Sequence, residues 1–145
     1  MSAAEVLRRL RFFLRALASV IFAGTLLELW LVSHNEDAIQ WTAFILAGLG
    51  LLLSAMIIAR QGPVTVALLR WSMLVVIAGS LFGVYQHVYN NIAFEREIQP
   101  NATTNRLIWR GLSGPNPLLA PATLAMASLL SLASTYKQSR IIEPE

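Results

Sequence analysis

Six polar side chains in a largely apolar chain could bind a ligand or carry a proton. They are Glu28, His34, His87, Asn91, Glu95 and Glu97. Neutral imidazole together with carboxylate suits zinc, copper or non-haem iron, and two opposed histidines could hold a haem axially. The spacing matches no metal motif such as His-Glu-x-x-His. The sequence therefore predicts no cofactor and leaves the identity of any metal open.

Glu28 has an unusual setting, because it lies inside a long apolar run. A carboxylate embedded in a membrane is costly and usually faces the interior of a helix bundle or a wet cavity. Gly24 lies about one helical turn earlier, and a glycine there would let a second helix approach. We therefore expect Gly24 and Glu28 to point inward. Glu28 would act there as a proton or ligand site, or as a structural residue hydrogen-bonded to a neighbouring helix.

The composition indicates a membrane protein. The chain has 145 residues, of which 56% are hydrophobic and 13% charged, whereas soluble domains carry about 25% charged residues. A lipid bilayer can solvate such an excess of apolar surface.

The absence of cysteine excludes disulfides and thiolate metal sites. The arginines lie at the ends of apolar runs and form no single basic face, so nucleic acid is not a predicted partner.

Four apolar runs have the length of membrane-spanning helices. They cover residues 12–32, 41–59, 71–88 and 117–136, and each is close to the roughly 20 residues that cross a hydrocarbon layer as a helix. We therefore expect an all-α four-transmembrane-helix bundle that forms a single membrane domain over residues 1–145. The connection over residues 89–116 is long, so it should carry structure of its own, with a short helix at residues 106–112.

The basic residues predict that both termini lie in the cytoplasm. One side of the predicted bundle holds Arg8, Arg9, Arg11, Arg15, Arg60, Arg70, Lys137 and Arg140, and the other holds Arg96, Arg106 and Arg110. The side richer in lysine and arginine faces the cytoplasm by the positive-inside rule. The short connections and the absence of a eukaryotic targeting signal indicate a bacterial inner membrane.

The first residues have the pattern of a helix start. Ser2 and Glu5 have the spacing of a capping box. Arginines follow on one face and apolar residues on the other. This segment could be an interfacial helix that binds anionic lipid. Alternatively, it could be a cytoplasmic extension of the first spanning helix, and we favour this interpretation.

Small residues predict where the helices pack, because helices in a bilayer come close at Gly, Ala, Ser or Thr. The candidates are Gly24 in the first run, Gly50 and Ser54 in the second, and Gly79 and Gly83 in the third. These residues could build a compact bundle within one chain. They could equally form a homodimer interface or a contact with another membrane protein.

Four short helices with an acidic residue in the first are similar in architecture to the small multidrug resistance transporters. In that family a helix-1 glutamate exchanges protons for cationic drugs within a dimer, and Glu28 would be the corresponding position. Glu28 lies nearer the outer end of its run, and the connection over residues 89–116 is longer than in that family. The resemblance is therefore one of architecture and does not assign the chain to the family.

Two classes of function follow from these observations. The small-residue positions and the long third connection favour a non-catalytic accessory or assembly subunit of a membrane complex. The alternative is a small transporter, or a ligand- or metal-binding protein, that uses Glu28 and the polar residues near His34 and His87. The chain has no phosphate loop, no Gly-x-Ser-x-Gly elbow and no Rossmann glycine motif, so no enzyme activity is predicted.

Overall fold

The computed structural model describes residues 1–34 and 36–138, and this part of the chain is helical with no strand. Its helices are α1 (Ala3–Leu31), α2 (Trp41–Ala59), α3 (Pro63–Ile98), α4 (Thr104–Ser113) and α5 (Leu119–Ala133). The first three helices are long and apolar enough to cross a membrane. Helix α5 is also apolar but has 15 residues. The fold is therefore that of an α-helical membrane protein with three candidate spans.

Helix α1 is one continuous helix from the N-terminal segment through the first apolar run. Ser2 caps it, because the backbone N–H of Glu5 donates to the Ser2 hydroxyl at 3.2 Å. Arg9 lies one turn after Glu5 and donates to its carboxylate at 2.7 Å. The N-terminal segment is therefore an extension of the first apolar helix.

Helix α3 extends beyond both ends of the predicted span over residues 71–88. It begins at Pro63, which suits the first helical turn because proline has no N–H to satisfy there. It ends at Ile98, so the predicted connection over residues 89–116 starts inside a helix. The rest of that connection contains α4, which includes the short helix expected at residues 106–112.

The core lies between α1, α2, α3 and α5, where Phe22, Ile57, Met73 and Ala127 are fully buried. The ring of Phe22 lies against Gly50, and a Cβ atom at Gly50 would overlap it. The other small residues at the helix contacts follow. A Cβ at Gly79 would overlap Leu46, one at Gly83 would lie 3.1 Å from Pro121, and the hydroxyls of Ser54 and Ser131 are 3.0 Å apart.

Candidate functional site

Helix α4 packs against the last turns of α3, and we call this part of the molecule the α4 end. Glu95 on α3 is only 5% exposed there. It accepts a hydrogen bond from Nε of Arg106 at 2.6 Å, and its other oxygen forms an ion pair with Arg110, whose Nε lies 3.3 Å away. The two arginines lie four residues apart on α4, so both face the same carboxylate. Glu95 therefore joins two helices, and its oxygens are already engaged by two cations.

Asn91 lies one turn before Glu95 and is 1% exposed. Its Nδ2 donates to the carbonyl oxygens of Gly111 at 3.1 Å and Asn116 at 3.0 Å. Its Oδ1 accepts from the backbone N–H of Asn116 at 2.9 Å and from the Asn116 side chain at 3.0 Å. A Cβ at Gly114 would overlap the Asn91 side chain. Asn91 thus uses both donors and both acceptor positions to hold the chain between α4 and α5.

The two histidines lie near each other at this end of the bundle. His87 on α3 is half-buried, and its Nδ1 is 2.9 Å from the carbonyl oxygen of Pro117. A carbonyl only accepts, so Nδ1 carries the proton in this contact. His34 follows α1 in a turn where the N–H of Ser33 donates to Trp30 and that of His34 donates to Leu29. This is a Schellman motif, with Ser33 in the left-handed region at φ 53°.

Burial lowers the pKa of the His34 imidazole below its ordinary value, and the positive charge of His87 lowers it further. We expect an NMR titration to give a pKa below about 6.5 for His34. In a His87→Gln variant the pKa of His34 should rise but stay below that value, because burial is the larger cause. A His34 pKa at or above about 6.5 in the native chain would contradict the described packing.

The direction of the shift sets how stability depends on pH. The unfolded chain binds a proton at His34 more readily than the folded chain does, so protonation favours unfolding. The stabilisation from neutral His34 is complete above about pH 6.5 and is lost as the pH falls through the folded-state pKa. A His34→Gln variant should lose this part of the pH dependence in unfolding measurements.

The structure corrects the expectation that Gly24 and Glu28 point inward. Both are exposed, and a Cβ at Gly24 would meet no atom within 4 Å. The buried face of α1 instead passes through Phe22, Thr25 and Leu29. Gly24 and Glu28 each precede one of these buried residues by one position, which turns them about 100° away from the core. The Glu28 side chain makes no hydrogen bond or ion pair with any residue that the structure describes.

The six predicted site residues therefore do not form one site. His34 and His87 lie together, Asn91 and Glu95 belong to the contacts with α4, and Glu28 lies on the exposed face of α1. Glu97 is exposed on α3. Within residues 1–34 and 36–138, no group of three or more His, Asp or Glu side chains is placed to hold a metal ion. A cavity of about 270 Å³ does lie beside α4, lined by residues that include Asn91, Phe94, Glu95 and Arg106.

A second polar cluster at the opposite end of the bundle was not predicted from the sequence as a site. We call it the arginine end and define it by Arg11, Arg15 and Arg70. Nε of Arg11 donates to the carbonyl oxygen of Tyr136 at 3.1 Å. Nε of Arg70 donates to the Thr135 hydroxyl at 2.9 Å, and its Nη2 donates to the Thr135 carbonyl at 2.8 Å.

Arg15 is the most deeply buried of these arginines. It is 3% exposed and donates to the side chain of Gln138 at 2.5 Å and to the hydroxyl and carbonyl of Ser134 at 3.4 Å. Together the arginines hold the C-terminal end of α5, where cations interact favourably with the helix dipole. The sequence contained a signal for this cluster, because Arg15 lies inside an apolar run as Glu28 does. The same charge also fits the positive-inside rule, so the sequence alone indicates only a topology signal at Arg15.

The fold and its two polar ends define the class of protein, an α-helical protein with three candidate membrane spans. Comparison of the chain with protein-family models, with curated proteins and with solved structures found no match.

Proposed function

We propose that this protein is a non-catalytic accessory or assembly subunit of a membrane complex in a bacterial inner membrane. Helices α1, α2, α3 and α5 would cross the bilayer, with both termini and the arginine end in the cytoplasm and the α4 end outside. The excess of lysine and arginine at the arginine end supports this orientation. A 15-residue helix is about 22 Å long, and the polar clusters at the two ends of the bundle would cover the ends of α5.

The main observation in favour of this proposal is the exposed carboxylate of Glu28. Leu27, Trp30 and Leu31 around it are also exposed, so the surface is apolar apart from this one charge. A charged side chain at the middle of a spanning helix costs about 2.5–3.5 kcal/mol, and less towards the interface. Gly24 lies one turn away and would let another helix come close. A partner helix that donates hydrogen bonds or positive charge to Glu28 would offset this cost.

The same charge favours a different protein over a second copy as the partner. Two copies inserted in the same orientation and related by a twofold axis along the membrane normal would use the same face. Their Glu28 side chains would then meet at the same depth, and like charges in a medium of low dielectric repel strongly. The complementary partner is a membrane helix that presents Lys, Arg, His or a hydroxyl at that depth.

The test is purification of the tagged full chain from its source membrane in mild detergent, followed by native mass spectrometry. We expect a stoichiometric membrane-protein partner with the native chain, and at least about a tenfold loss of it with Glu28→Gln or Gly24→Leu. Glu97→Gln is the matched control, because Glu97 is also exposed and makes no described contact. A photo-crosslinker at position 31 should join the chain to a helix that carries one of the expected donors.

Two results would reject the accessory role through this face. One is a partner retained equally by Glu28→Gln and the native chain, and the other is a cross-link to a second copy of the same chain. Unchanged thermal unfolding of the isolated Glu28→Gln variant would show that any loss of the partner does not come from misfolding.

The proximity of His34 and His87 favours one second candidate, a small transporter or ligand-binding protein. The α4 end also contains the cavity of about 270 Å³, which could admit a small ligand and is lined by Asn91 and Glu95 rather than by the histidines. This candidate predicts that Glu28→Gln or His34→Gln abolishes transport or ligand binding while the protein assembles normally. The accessory role predicts instead that Glu28→Gln causes loss of the protein partner.

A further inference from the structure

The arginine end contains a cavity of about 360 Å³ whose wall is strongly basic. It is lined by Arg8, Arg9, Arg11, Phe12, Arg15 and Gln61. Five of these residues come from the first turns of α1, and Gln61 comes from the connection between α2 and α3. The cavity therefore lies where an N-terminal extension of a spanning helix enters the membrane.

The two most buried arginines in this wall have no acidic partner among the described residues. Arg11 is 8% exposed and Arg15 is 3% exposed. Their hydrogen bonds go to uncharged acceptors of Ser134, Tyr136 and Gln138. The ion pairs in the described part of the chain involve other arginines. Removing a charge from water without a counter-charge is costly, so a bound anion would be stabilising here.

Hydrogen-bond donors remain available in the wall. A guanidinium has five N–H donors. The bonds of Arg11 and Arg15 start from Nε and Nη2, and Nη1 of each makes no bond within residues 1–34 and 36–138. Gln61 accepts from Gln138 through its side-chain oxygen at 3.3 Å, which leaves the Gln61 amide N–H groups. Planar guanidinium donors match the oxygen atoms of a phosphate group.

The net charge around the cavity is positive. Glu5 pairs with Arg9 at 2.7 Å on the exposed surface of α1. Arg8 is exposed and makes no hydrogen bond or ion pair with a described residue. Four arginines therefore face the cavity, and one described carboxylate is near them.

Phe12 shows which kind of anion fits. It lines the cavity and is largely exposed, as is its neighbour Phe13. A free phosphate ion gains nothing from an aromatic wall, whereas a phospholipid has acyl chains directly below its phosphate. Basic pockets at the cytoplasmic ends of spanning helices are known to suit anionic lipid headgroups.

We infer that this cavity binds the phosphodiester group of an anionic phospholipid, with Arg8, Arg11 and Arg15 on the phosphate and Phe12 against the start of an acyl chain. This site requires that α1 enters the membrane, and it is independent of the accessory role. The lipid would supply the counter-charge that Arg11 and Arg15 lack, and would tie the end of α5 to the inner leaflet.

Native mass spectrometry of the delipidated full chain tests the site with three probes: phosphatidylglycerol, phosphatidylcholine and sodium phosphate alone. We expect one phosphatidylglycerol per chain, retained at least about tenfold better than phosphatidylcholine, with no retained inorganic phosphate. Arg8→Gln should weaken retention by about fivefold, as one basic residue near an anionic surface does. Arg8 supports no described contact, so this variant keeps the fold. Arg60→Gln is the matched control, because Arg60 is exposed and lies outside the cavity wall.

Several results would overturn the inference. Equal retention of phosphatidylglycerol and phosphatidylcholine would show that the protein does not distinguish lipids by headgroup charge. Equal effects of Arg8→Gln and Arg60→Gln would show that the cavity is not the binding site. Inorganic phosphate that displaces phosphatidylglycerol at equal concentration would assign the cavity to a free ion.

Discussion

Replacing Asn91 with alanine is expected to lower the free energy of unfolding by about 2–4 kcal/mol. The side chain is buried and makes four hydrogen bonds to Gly111 and Asn116. Its removal leaves two backbone carbonyls and one backbone N–H without their described partners. The segment between α4 and α5 would then lose its attachment to α3. Denaturant unfolding in detergent, followed by circular dichroism, measures the change.

Asn90 is the matched control, because it has the same chemistry and lies one position earlier. It is exposed and makes no described side-chain hydrogen bond. Asn90→Ala should change the free energy of unfolding by less than about 0.5 kcal/mol. Equal stability of the two variants would show that the Asn91 hydrogen bonds do not hold α4 in place.

Replacing Arg15 with alanine is expected to detach the residues that follow α5 and to destabilise the chain by about 2–3 kcal/mol. The change removes hydrogen bonds to Ser134 and Gln138 and leaves a cavity beside them. Arg15→Lys should recover only part of this loss, since an ammonium cannot reproduce the planar fork of a guanidinium. Hydrogen exchange at the backbone amides of Ser134 and Gln138 should accelerate in the alanine variant before global unfolding is affected.

The control for Arg15 is Arg8→Ala, which removes an exposed arginine from the same helix. Its unfolding and its hydrogen exchange near Gln138 should match those of the native chain. If Arg8→Ala and Arg15→Ala accelerate exchange equally, the effect comes from net charge and not from the contacts of Arg15.

Hydropathy predicted the three long apolar helices but not how far α3 continues. The residues after 88 are polar, and hydropathy reports which residues lipid can solvate. It does not report where a backbone stops being helical. Residues 89–98 stay helical because α4 covers Asn91 and Glu95 and satisfies their polar groups. Those partners lie 11 to 25 residues further along the chain. Their contact therefore depends on the path of the intervening loop, which cannot be predicted from the periodicity of apolar residues.

The direction of Glu28 was mispredicted for a different reason. A glycine marks where a helix can come close to another helix, but it does not show that one does. On α1 the contact with α2 is made by Phe22, whose ring fills the space beside Gly50. That contact fixes the rotation of α1 and leaves Gly24 outside the bundle. The sequence shows both Gly24 and Gly50 as possible helix contacts. It does not show that Phe22 packs against Gly50, which is the contact that determines which glycine lies inside the bundle.

In the proposed four-span topology, the short length of α5 has a consequence for how the protein enters a membrane during synthesis. Helix α5 has 15 residues and carries Ser128 and Ser131 on its buried face. Such a segment gains little by moving into lipid alone, because its hydroxyls and its uncovered ends oppose the transfer. It packs against α1 and α3, which leave the ribosome earlier. Insertion of the last helix and closure of the bundle should therefore be one event, in which the earlier helices form the surface that receives it.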